Sequence, residues 1–184
     1  MSNIIEIVLI VDCSKLMSGQ EFETVSRINA ILDNYSKSEC AYITTVVFNE
    51  IAYMLHDRLK VDLVKPLTIS DIRANGKALL YDTVAVVINH IRNVHHYIRK
   101  EDIPDKTIFY VFSIGEDNIS TKYTKEEIQK MAYERKIKDG WQFNFENINR
   151  NISSIDDIHK TAQYNTISDD FEILKKMLSK NRFT

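Results

Sequence analysis

The chain reads as an α/β protein: a doubly wound, mostly parallel sheet with an antiparallel edge hairpin strand and helices on both faces. Three observations predict this. Ile4–Asp12 and Thr107–Ser113 are near-continuous apolar runs, the mark of parallel strands covered on both faces. Between such runs lie segments whose apolar residues recur every three or four positions, the period of a helix. Two further β-rich runs are separated only by Asn49 and Glu50, which makes them a hairpin with a tight turn. Strands alternating with helices, plus one hairpin, imply a sheet wound in both directions from its centre.

Each element follows from local pattern. Phe22, Val25, Ile28, Ile31, Leu32 and Tyr35 make Gln20–Ser36 an amphipathic helix. Cys40–Phe48 and Ile51–Leu59, rich in β-branched and aromatic residues, form the hairpin. Asp62–Ala74, punctuated by Pro66, is a connection with a short helix or turn. Leu80, Val84, Val87, Ile88, Ile91 and Val94 mark a long helix towards Arg99, and Lys100–Lys106 is a polar loop containing Pro104. Thr124 followed by Glu127 is a capping box that opens the next helix, and Gly140 is the residue expected just past its end. Trp141–Phe145 is a strand whose alternating aromatics face one core layer. Ser154–Gln163 and Asp169–Leu178 are expected as closing helices, with Ser153 or Ser154 and Ser168 as caps. No repeat, low-complexity tract or linker interrupts residues 1–184, so one domain is expected.

A chain of 184 residues can bury a sizeable core, and 44% hydrophobic with 27% charged residues is ordinary for a globular protein. A net charge of −2 without any Lys/Arg run argues against nucleic acid as a partner. Cys13 and Cys40 form neither a disulfide framework nor a zinc spacing and read as reduced core thiols. No signal-peptide pattern and no apolar run of membrane-spanning length is present, so a cytoplasmic protein without membrane contact is expected. Abundant Ile, Asn and Lys with only four Gly suggests an AT-rich genome, as in a bacterium or phage.

Three segments stand out: Ile7–Gly19 (IVLIVDCSKLMSG), Asn75–Thr83 (NGKALLYDT) and Tyr110–Ser120 (YVFSIGEDNIS). Together they resemble the loops that build the metal-ion-dependent adhesion site of von Willebrand factor A (VWA) domains. Thr44–Phe48, Leu55–Arg58, Val64–Leu67 and Gly140–Phe145 extend the likeness to a subgroup of short, stand-alone VWA proteins of bacteria and phages. The resemblance runs from about Ile4 to Phe145. It departs afterwards, where the usual Gly-Ala-Asn-x-Asp stretch is replaced by Glu146-Asn147-Ile148-Asn149.

The resemblance implies an Asp-x-Ser-x-Ser, a Thr and an Asp around one divalent cation. Asp12 and Ser14 stand at two of these positions, whereas Leu16, Ala78 and Ile114 occupy the other three. One carboxylate and one hydroxyl hold magnesium, which demands octahedral oxygen coordination, only weakly. No metal and no cofactor is therefore expected. Lys15, in place of a small glycine, or Lys77, before the vacated Thr position, would substitute for the cation beside Asp12; alternatively both are solvated and loop amides hold Asp12.

Catalytic readings are weaker. No glycine elbow surrounds Ser14 and no His lies near it. His56 and Asp57 are adjacent on a strand and point to opposite faces. His95 and His96, adjacent on a helix, diverge by about 100° and read as a solvated helix end. The leading expectation is a non-enzymatic protein-interaction module with a degenerate metal site. Its contact rim comprises Lys15, Ser18, Asn75, Lys77, Glu116, Asp117 and Asn118, facing a protein partner, with homodimer formation left open. A rival is a metal-dependent (Mg/Mn) ligand-binding domain using Asp12, Ser14 and carboxylates from Asp82 or Glu116; a hydrolase is a more distant one.

Overall fold

The computed structural model describes residues 3–38, 40–114 and 117–148. Five strands and three α-helices lie among them: β1 (Ile5–Asp12), α1 (Glu21–Ser36), β2 (Ala41–Phe48), β3 (Ala52–Lys60), α2 (Leu80–Tyr97), β4 (Lys106–Ser113), α3 (Lys125–Asp139) and β5 (Gln142–Asn147). The sheet order is β3-β2-β1-β4-β5. β1 is parallel to β2 and β4, β4 is parallel to β5, and β2 pairs antiparallel with β3. This is the doubly wound, mostly parallel sheet with an antiparallel edge hairpin that the apolar runs predict. The expected helices Ser154–Gln163 and Asp169–Leu178 lie outside the described residues.

Alternation along β1 sorts the two cores. Ile7, Leu9 and Val11 pack with Ile28, Ile31 and Leu32 of α1 on one face. Val8 and Ile10 pack with Val84, Val87, Ile88 and Ile91 of α2 and with Ile128 and Ala132 of α3 on the other. Phe109 stacks on Trp141 and Phe143 at ring-centroid distances of 5.2 and 4.6 Å, so the β5 aromatics are packing residues. Phe22 is an exception to the predicted stripe: it is exposed, because it sits six residues, about 240°, from Ile28. Arg27 takes a place on the buried face instead, paired with Glu23 at 2.7 Å and Glu146 at 3.8 Å.

The helix signals act where they stand. Thr124 Oγ1 accepts the Glu127 amide, Glu127 Oε2 accepts the Thr124 amide, and Gly140 closes α3 at φ +70°. Asp62–Ala74 contains two short 3₁₀ turns, Val61–Leu63 beginning just before it and Ile69–Ile72 within it. β3 forms the outer edge, with Tyr53, Met54, Leu55 and Leu59 exposed.

One feature of the core escapes periodicity. Glu6, inside the apolar run of β1, is fully buried on the α2 side of the sheet. Its carboxylate meets His95 Nε2 of α2 and lies 3.5 Å from Arg58 Nε of β3. Arg58, at φ +49° beside an irregularity in the β2–β3 register, also donates to the Asp102 carbonyl. His95 is thus not the solvated helix end its position suggests: a buried carboxylate 89 residues away holds it. Asp57, by contrast, turns outward to His90 at 2.9 Å, so the His56–Asp57 pair diverges as strand geometry requires.

Candidate functional site

The three singled-out loops meet at the carboxyl ends of β1 and β4, where open α/β sheets place their ligands. Backbone hydrogen bonds join them. Lys15 N–H donates to the Gly76 carbonyl (2.9 Å), and Asn75 N–H donates to the Cys13 carbonyl (2.8 Å). Asn118 N–H donates to the Ala78 carbonyl (3.0 Å), and Asn118 Oδ1 accepts the Ala78 amide (3.2 Å). The hairpin turn joins them as well: Leu79 N–H reaches the Asn49 carbonyl (2.9 Å) and Lys77 N–H reaches Glu50 Oε1 (3.3 Å). Gly76 adopts φ +71°, a left-handed conformation that suits glycine, and a Cβ there would sit 3.2 Å from Glu50 Cγ.

Asp12 is 1% exposed, and both of its oxygens are engaged. Oδ1 accepts the Ser14 amide at 2.8 Å and Oδ2 accepts the Ser113 hydroxyl at 2.8 Å. Neither expected lysine substitutes for a cation: Lys15 and Lys77 are exposed, and among the described residues neither forms an ion pair with Asp12. A loop amide and a hydroxyl do that work, because the tight turn after β1 brings the Ser14 N–H back onto the carboxylate. Ser113 is a site residue that sequence reasoning missed. The parallel register sets Val11 beside Phe112, so the next residues, Asp12 and Ser113, are neighbours on adjacent strand ends.

The donor set does not suit an octahedral cation. Ala78 is buried hydrocarbon, Ile114 packs against the α1-side core, and Leu16 is 38% exposed on a 3₁₀ turn (Lys15–Met17). Among the described residues no group of three or more His, Cys, Asp or Glu side chains converges to hold a metal. One oxygen is left over: Ser14 Oγ is buried and has no hydrogen-bond partner among the described residues. Cys13, next in the chain to Asp12, is buried too, and burial, reinforced by the Asp12 charge, pushes its thiol up to about 12.

Asp117 and Asp82 are committed elsewhere. Asp117 Oδ1 accepts the amides of Leu80 (2.7 Å) and Tyr81 (3.2 Å), the first two residues of α2. It also accepts the Ser120 hydroxyl (2.6 Å), while Ser120 Oγ accepts the Asp82 amide (3.0 Å). Asp82 answers with its carboxylate, which takes the amides of Thr121, Lys122 and Tyr123 at 2.9–3.2 Å. The helix start and the loop after β4 thereby clamp each other. This satisfies the orphan donors that every helix N-terminus carries, and it commits the Asp82 carboxylate to three loop amides.

Of the expected contact rim, Lys15, Ser18, Asn75, Lys77 and Asn118 are exposed and brought together by the loop contacts. Asp117 is half-buried as a cap, and Glu116 lies outside the described residues. Among the described residues, no helix is long and apolar enough to cross a membrane.

No family model and no curated protein matches the chain. Among solved structures it is similar to the vWF domain of the type V pili tip protein Mfa5 from Porphyromonas gingivalis, at 13% identity and a TM-score of 0.45, over 68% of this chain and 44% of that one. It is similar to the conserved hypothetical protein BatB from Bacteroides thetaiotaomicron, at 16% identity and 0.47, over 77% and 65%. A von Willebrand factor type A protein from Catenulispora acidiphila matches at 13% identity and 0.49, over 79% and 34%. The chain thus spans less than two thirds of the length of each.

Proposed function

We propose that the chain is a non-enzymatic, VWA-like protein-interaction module whose cation site has been rebuilt as a closed hydrogen-bonded loop. The observation that carries this reading is the state of Asp12: its two oxygens are spent on Ser14 N–H and Ser113 O–H, and the positions around it offer hydrocarbon. A hydrated ion entering there would share the Asp12 oxygens with both hydrogen bonds and would find no further ligands in Leu16, Ala78 and Ile114, which have no side-chain oxygen to give. Recognition then falls to the shape and charge of the rim. Lys15 and Lys77, exposed on adjoining loops without an ion pair among the described residues, favour an acidic protein surface.

Calorimetric titration with magnesium and manganese tests the metal-free part. No saturable heat is expected for the native chain; micromolar binding that disappears in Asp12→Ala would refute it. Affinity capture with Lys15→Glu and Lys77→Glu, against Lys130→Glu on α3 as control, tests the rim. The rim reading fails when all three variants retain the same bound protein.

A second reading, a metal-dependent ligand-binding domain, has one observation in its favour. Ser14 Oγ is a buried oxygen without a partner among the described residues, and such an atom is normally satisfied by a water or an ion. The same titration separates the two, since only this reading expects heat that depends on Asp12.

A further inference from the structure

The opposite end of the sheet carries a second feature. A half-open cleft of about 620 Å³ lies at the amino ends of β4 and β5, between the last turns of α2 and α3. This volume is in the range that holds a small molecule. The Ile103–Pro104 step and the small exposed part of Trp141 supply apolar surface; Arg92, His95, His96 and Arg135 bring nitrogen donors, and among the described residues Asp139 is the one carboxylate lining it. We propose that this cleft binds an organic anion, a phosphate or carboxylate head carried on a small apolar body.

Charge supports the choice. Asp139 lies 2.7 Å from Arg135 and offsets that guanidinium. Arg92 is exposed and has no ion pair among the described residues, so the lining keeps a net positive charge even with both imidazoles neutral. The helix macrodipole explains basic residues in a last turn, such as His95 and His96. It does not explain Arg92, which stands five residues before the end of α2, ahead of its last turn. His95 is fixed by Glu6 through Nε2 and meets Trp141 edge-on at 5.4 Å, so the floor of the cleft is held rigid from the core. Guanidinium groups are the side chains best suited to oxyanions, and Ile103, 39% exposed, offers apolar surface to the body such a head carries. The proposal stands apart from the reading of the Asp12 loops, since the two sites share no residue.

Trp141 is the sole tryptophan of the chain, so one indole N–H signal reports on the cleft. Titration of the ¹⁵N-labelled full chain with phenyl phosphate and, separately, benzoate should move that signal saturably, with half-saturation at about 1 mM; the stronger of the two names the head group. Arg92→Gln should weaken binding about fivefold. Asp139→Asn, which frees Arg135, should tighten it about threefold. Three results overturn the proposal: no saturation with either anion at about ten times that concentration, an equal shift with uncharged phenol, or affinities unchanged in both variants.

Discussion

Replacing Asp117 by Ala asks whether a carboxylate on the candidate rim is a recognition residue or a cap. In the structure it is the N-terminal cap of α2 supplied from another loop, since Leu79 at the capping position offers no side-chain bond. Losing a charged cap costs about 1–2 kcal/mol, and losing its attraction to the helix dipole adds about 0.5 kcal/mol. Freeing Ser120, which donates both its amide (3.0 Å) and its hydroxyl (2.6 Å) to Asp117, adds about 1 kcal/mol. The sum is about 3 kcal/mol, or a fall in Tm of roughly 6–12 °C for a chain of this size. Asp117→Asn keeps an acceptor and loses only the charge, so it should cost about 1 kcal/mol. Urea unfolding followed by circular dichroism measures both, and hydrogen exchange at Leu80 and Tyr81 locates the damage. A variant Asp117→Ala within about 0.5 kcal/mol of the native chain, with those amides still protected, would refute the assignment.

Other outcomes follow from the buried polar groups. Glu6→Ala strands Arg58 and His95 without their shared carboxylate and should cost about 3 kcal/mol in urea unfolding; a loss below about 1 kcal/mol would mean that the pair contributes little. Burial raises the Glu146 carboxyl, with Arg27 opposing. A raised folded-state pKa gives stability that is full below the unfolded carboxyl range and is lost as pH rises through the raised value. Glu146→Gln should therefore match the native chain near pH 4 and gain on it towards about pH 7; a native advantage that widens with pH contradicts this. Cys13, held protonated up to about 12, should resist alkylation at about pH 8 until the protein unfolds, as mass spectrometry of the modified peptide would show; its modification in the native state at the rate of a free thiol would contradict the assignment.

What could be read in the sequence, and what could not, divides by range. Thr124, Glu127 and Gly140 act on groups within a few residues, so a capping box and a terminal glycine name their own partners. The strands of the central sheet were legible for a similar reason: a run such as Ile7–Val11 has only one environment that accepts it. Sequence alone sets Asp117 on a rim, because nothing adjacent to it shows that the amides it serves belong to Leu80 and Tyr81. Its position on the helix makes His95 look solvated, because its partner, Glu6, hides in an otherwise hydrocarbon strand. Ser113 is visible in the sequence as a strand end and as part of the third loop, with no sign of its partner. Its role depends on parallel register with β1, a property of two segments together and of neither alone.

The central place of β1 sets an order of events along the chain. Ile5 meets Ala41 on one side and Lys106 on the other. Closing the longer of these loops costs about 1 kcal/mol more in chain entropy. The β1–β2 ladder is therefore the cheaper one to nucleate, while β4 must arrive from farther off to cover the remaining edge. Until residues 106–113 arrive, one whole flank of β1 stays bare, and Val8 and Ile10 lack Phe109 and Val111 from their layer. Synthesis halted before that point would leave a sticky half-sheet, and the last strand to dock beside β1 also brings the hydroxyl that finishes the pocket around Asp12.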